Sequence, residues 1–138
     1  MPIKYILLLF VFSSLIIGSC KKGDTTPPTT VETEKQIAFV TDPVFSSSVN
    51  VSLTSTVSFK VVITSTMPSS GISIDITTKD ASTNALLEPA KNYKSTTVSN
   101  NVSIGTLQPG ATYNVTISVA SQKNASNKET KTFSVKLK

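Results

Sequence analysis

Histidine and tryptophan are absent from the 138 residues, arginine does not occur, and cysteine occurs once. Without histidine and with a single thiol, Ser-His-Asp and Cys-His catalytic arrangements are excluded, as are zinc sites built on His or Cys. One cysteine cannot form an intrachain disulfide, so stability has to come from a packed core. The net charge of +5 is carried wholly by lysine, scattered among Ser and Thr and not grouped with aromatics. Bidentate guanidinium forks, the usual tools for reading phosphates and base edges, are missing, and nucleic-acid binding is not expected. Charged residues make up 15% and aromatics 7% of the chain, while Ser, Thr, Val and Asn abound.

The single cysteine, Cys20, closes an apolar N-terminal run, Ile6-Leu7-Leu8-Leu9-Phe10-Val11-Phe12-Ser13-Ser14-Leu15-Ile16-Ile17-Gly18-Ser19-Cys20. Lys4 supplies a positive start, and the run has the length of a secretory apolar region. It falls short of the ~20 residues of a membrane span and carries Ser13 and Ser14. Ile17, Gly18 and Ser19 followed by Cys20 resemble the lipobox of bacterial lipoproteins. That resemblance implies cleavage before Cys20, lipid attachment to its thiol, and a protein anchored in a membrane. Lys21 stands where the enterobacterial sorting rule places an inner-membrane-retaining aspartate, so the outer membrane is the implied destination. Cys20-Lys21-Lys22-Gly23-Asp24 is also similar to lipoprotein starts of the Bacteroidota, which implies display on the cell exterior.

Residues 1–19 are thus read as signal, and residues 20–36 as the lipidated cysteine and its tether. Pro, Thr and alternating charge between Lys21 and Glu34 leave almost nothing to bury, which predicts an extended spacer. Residues 37–138 remain, about a hundred, enough for one domain.

From Ile37 onward the pattern has period two. Val49, Val51 and Leu53 alternate with polar residues, as do Val57, Phe59, Val61 and Ile63, then Ile72, Ile74 and Ile76. A less regular stretch from Leu86 to Lys94 contains Pro89 and predicts an edge or a crossing between sheets. Val102 and Ile104 follow, then Val115, Ile117 and Val119, and finally Phe133, Val135 and Leu137. Seven candidate strands, each with one apolar face, predict an all-β antiparallel sandwich.

Between the fifth and sixth strands the chain reads Leu107-Gln108-Pro109-Gly110-Ala111-Thr112-Tyr113-Asn114-Val115-Thr116-Ile117-Ser118-Val119. Leu-x-Pro-Gly-x-x-Tyr-x-Val-x-Ile-x-Val resembles the corner between strands E and F of fibronectin type III domains. The resemblance implies that Leu107 closes the core, that Pro109 and Gly110 turn the chain, and that the Tyr113 hydroxyl returns to a nearby backbone group as a tyrosine corner. The tryptophan usual late in the second strand of that family is missing, and Phe59 or Ile63 has to fill its place. Other immunoglobulin-like sandwiches share the same periodicity.

Little chemistry remains. Asp42, Asp75, Asp80, Glu88 and Glu129 are separated along the chain; Asp75 and Asp80 read as a strand-face and a turn residue, and Asp80 with Glu88 lacks the Asp-x-Asp loop of a calcium site. No cofactor or metal is expected, nor catalysis. Two further functions stay open: a noncatalytic surface module serving as spacer, structural part or protein-binding domain, and a glycan-binding accessory lipoprotein of an outer-membrane polysaccharide uptake system. For the second, Tyr93, in Lys91-Asn92-Tyr93-Lys94, is the candidate ligand contact, because sugar platforms need an exposed ring.

Overall fold

The computed structural model describes residues 33–138; residues 1–32, with the signal, Cys20 and most of the tether, lie outside the described residues. The described residues are all-β, with no helix and eight strands. The strands are β1 (Phe39–Asp42), β2 (Val49–Ser52), β3 (Val57–Ile63), β4 (Ile72–Asp80), β5 (Lys91–Ser95), β6 (Ser99–Ile104), β7 (Thr112–Ser121) and β8 (Lys128–Leu137). They form a three-stranded sheet ordered β1-β3-β6 and a five-stranded sheet ordered β2-β8-β7-β4-β5. Period two is what builds this sandwich: on β4, Ile72, Ile74 and Ile76 are buried, and on β7, Val115, Ile117 and Val119 are buried, while the alternating Ser and Thr face outward.

Three features differ from the sequence reading. The strands number eight and not seven, because Phe39–Asp42 forms a short strand antiparallel to β3. Its inward residues are Phe39 and the buried polar Thr41, which breaks the apolar alternation. The fold is also not wholly antiparallel: β2 runs parallel to β8, Val49 opposite Ser134 and Ser52 opposite Leu137. Finally, the apolar residues of β2 face solvent. Val49 is 49% and Val51 64% exposed, and Leu53, just beyond the strand, is 79% exposed. The Asn50 amide fixes this orientation by donating to the carbonyls of Ser46, Ser48 and Ser134. Pro89 lies outside β5, which is an edge strand of the five-stranded sheet.

Three phenylalanines pack against one another at the core. Phe45, from the segment crossing between the sheets, stacks on Phe133 at 4.0 Å between centroids, and Phe59 meets both edge-on at 5.3 and 5.9 Å. Such aromatic geometry adds to simple area burial. Gly71, which opens β4 with φ +80, is required by close packing: a Cβ there would meet the Ser95 carbonyl at 2.6 Å. Among the described residues one buried side-chain group lacks a partner. The Thr78 hydroxyl on β4 is fully buried and makes no hydrogen bond within the protein. A buried, unpaired hydroxyl costs more than the methyl of the same shape. Thr78→Val should therefore raise stability by about 1 kcal/mol, read as a higher urea midpoint with an unchanged slope; a lower midpoint would show that this hydroxyl is satisfied in solution.

Candidate functional site

Both edges of the three-stranded sheet are held by carboxylate and ammonium groups from β8, from β5 and from the loop that precedes β5. On the β1 edge, Phe39 N–H donates to Glu129 Oε2 at 2.7 Å, and Lys131 Nζ donates to the Phe39 carbonyl. Glu129 and Lys131, both on β8, lie 3.5 Å apart, and the ammonium sits 5.0 Å from the Phe39 ring centroid. On the β6 side, Gly105 N–H donates to Glu88 Oε1 at 3.4 Å and Lys91 Nζ donates to the Ser103 carbonyl at 2.8 Å, with 3.1 Å between the two charges. Each pair meets one N–H and one C=O that would otherwise template another strand.

The chain enters the sandwich at the end carrying the β7–β8 turn. Glu34 accepts from the Ser121 hydroxyl at 3.0 Å and from the Asn127 amide at 3.3 Å, and Asn127 Oδ1 accepts from Ile37 N–H at 2.8 Å. Asn127 also donates to the Lys35 carbonyl, and Gln36 to that of Lys128. Asn127 is buried, so this clamp is a built part of the domain and begins at Glu34, within the segment that the sequence assigns to the tether. Strand directions put the opposite end at the loops 53–56, 81–90 and 105–111.

The corner sequence lies at that opposite end. Leu107 is buried, Pro109 and Gly110 are exposed, and Gly110 turns with φ +81. Tyr113, buried at the start of β7, accepts a hydrogen bond on its hydroxyl from Gln108 N–H at 3.1 Å. Thr106, at φ 60, is a β-branched residue in the left-handed region, a strained position that the sequence did not signal.

Tyr93 projects from β5 and is half-buried against the core. It lines an open cleft of about 540 Å³ with Phe59, Val102, Asp42, Lys60 and Asn101. That setting pairs one partly covered ring with amide and charged groups. A second cleft, of about 550 Å³, lies on the outer face of the five-stranded sheet and is lined by Thr77, Asn114, Thr116 and Thr132 among others.

The carboxylates named from sequence are dispersed. Asp42 sits 4.0 Å from Lys60, Asp75 accepts from the Asn92 amide at 2.6 Å, and Glu88 and Glu129 hold the sheet edges. Asp80 closes the turn after β4. Its Oδ1 accepts from the Ser82 hydroxyl and from the Ser82 and Thr83 backbone N–H groups, which lower its pKa to about 2. Among the described residues no three His, Cys, Asp or Glu side chains come together as a metal site. Cys20, the lipidation candidate, lies outside the described residues.

Comparison with known protein families, with curated proteins and with solved structures returns no match. The site therefore has to be read from its own geometry. Tyr113→Phe removes only the acceptor for Gln108 N–H and should lower stability by about 1 kcal/mol. A denaturation midpoint equal to that of the unaltered chain would mean that the bond adds nothing to the corner.

Proposed function

We propose that this chain is a noncatalytic cell-envelope lipoprotein, anchored through lipid on Cys20 and displaying its sandwich as a spacer or protein-interaction module. The reading combines the lipobox-like Ile17-Gly18-Ser19-Cys20 with one structural observation, the clamp of Glu34 and Ile37 on Ser121 and Asn127. A tether arriving from Cys20 meets the domain at that end. The corner and the loop 81–90 lie at the other end of the sandwich. Localisation at the outer membrane, on the exterior face, follows from the Lys21-Lys22-Gly23-Asp24 start.

The head itself reads as an immunoglobulin-like sandwich. The Gln108 to Tyr113 bond supports the fibronectin type III likeness, whereas the parallel β2–β8 pair lies outside a seven-stranded antiparallel pattern and favours another immunoglobulin-like subfamily. Fractionation tests the anchor directly. Cys20→Ser should abolish incorporation of a labelled fatty acid and move the protein from the membrane pellet to the soluble fraction. A variant that stays in the outer-membrane fraction would place the anchor elsewhere.

One observation favours a second reading, glycan binding: Tyr93 lies in a cleft with Asn101, Lys60 and Asp42. A half-buried ring edged by amide and charged groups is a small sugar platform. On a glycan array, Tyr93→Ala should reduce any signal of the native protein by at least about tenfold, equivalent to one lost ring contact. An array blank for the native protein, or unaffected by the substitution, removes this reading.

A further inference from the structure

Two sheets present four outer edges, and three of these carry or are met by charged side chains. Glu129 and Lys131 occupy backbone groups of β1, Glu88 and Lys91 reach those at the β6 edge, and β5 carries Lys91 and Lys94 within its own length. Charged side chains on an edge oppose the addition of another strand. The fourth edge, β2, has none. No charged residue occurs from Val44 to Phe59.

The backbone of β2 is also aimed for pairing. Ser52 C=O accepts from Lys138 N–H at 3.0 Å, so Asn50 and Ser52 turn their backbone groups toward β8. By alternation, the N–H and C=O groups of Val49 and Val51 point away from the sheet. Their exposed side chains stand on the outer face. The result is an open, uncharged strand edge with valine at alternate positions.

The sequence of this edge names its occupant. Ser48-Val49-Asn50-Val51-Ser52 reads the same in both directions. Two copies brought together antiparallel about a twofold axis at Asn50 set Val49 of one copy opposite Val51 of the other, in hydrogen-bonded positions, on both sides of the axis. Every outward N–H and C=O of these valines then finds a partner, and each valine side chain packs on a valine. No charge on β2 meets its own image.

We propose that β2 is a self-pairing edge through which two copies of this chain join their five-stranded sheets into one continuous sheet. The inference deepens the interaction-module reading, resting on it for biological role and on the strand geometry for the contact. β2 is four residues long, so the interface lies at the small end of specific contacts. Confinement of tethered copies to one surface raises their effective concentration and compensates for the short strand.

Sedimentation equilibrium of the full chain in density-matched detergent, together with amide hydrogen exchange at several protein concentrations, tests the proposal. The wild type should show a monomer–dimer equilibrium, and the Val49 and Val51 amides should gain protection as concentration rises. Val51→Lys should weaken the dimer by about tenfold or more without lowering the thermal midpoint, while Val40→Lys, on the exposed face of β1, should leave association unchanged. A chain monomeric at all concentrations overturns the proposal, as does a dimer indifferent to Val51→Lys, a dimer without protection of those two amides, or protection conferred only by an added foreign peptide strand. Membrane fractionation of Cys20→Ser reads the anchor and sedimentation reads the pairing, so either can fail alone.

Discussion

Backbone hydrogen bonding at the sheet edges is the constraint around which this molecule is arranged. A three-stranded sheet has one interior strand and two edges, and here each edge is met by a glutamate and a lysine, Glu129 and Lys131 from β8 and Glu88 and Lys91 from the start of β5 and the loop before it. The contacts go from charged groups to backbone N–H and C=O, so they satisfy directional needs that apolar packing cannot meet. They also hold the two sheets in register. Phe39 lies opposite Ile63 on β3 and is tied to Glu129 and Lys131 on β8, which links the β1 edge to the other sheet. Acidic side chains serve the architecture: Glu88 and Glu129 hold edges, and Asp80 holds a turn.

What could be read from the sequence, and what could not, follows from the range of each interaction. The strands β3, β4, β7 and β8 were legible because alternation is local and sustained along each of them. The bond from Gln108 N–H to the Tyr113 hydroxyl is of the same local kind, spanning five residues. The edge clamps were not legible. Glu129 meets Phe39 across 90 positions, and no local pattern marks either residue. β1 escaped notice because an inward Thr41 interrupts its apolar face and Pro43 follows directly. For β2 the alternation was correct and the face was wrong. Period two sorts residues into two sets without saying which set faces the core, and there the side-chain amide of Asn50 decided the matter through contacts with Ser46 and Ser134.

The split of the first strand into β1 and β2 links architecture to the proposed role. Residues 43–48 carry the chain from one sheet to the other, and Phe45 on this crossing stacks against Phe133. β8 is thereby used twice along one side. Near its start, Glu129 and Lys131 reach over to β1; near its end, Ser134 to Leu137 pair with β2. The first half of that side is closed by charge and the second half ends in an uncharged strand. A single continuous strand along β1 would leave β8 bare, and a single strand along β2 would leave β3 bare. The crossing covers both, at the cost of an edge that is short and apolar.

The position of the clamp at Glu34 also bears on how an anchored head would carry load. Tension drawn through residue 33 away from the β7–β8 end acts along β1, which begins at that end and pairs antiparallel with β3. The ladder bonds lie perpendicular to the strands, so the pull loads them together in shear and does not open them one at a time. Asn127, Ser121 and the Glu129–Lys131 pair lie on the same path and share the load before β1 can slide. A tether joined to the other end of a strand pair would peel it from its first bond. An entry clamped at the head of a sheared strand therefore suits a domain held by its N-terminal side, and it does so with residues that have no part in the exposed β2 edge or in the Tyr93 cleft.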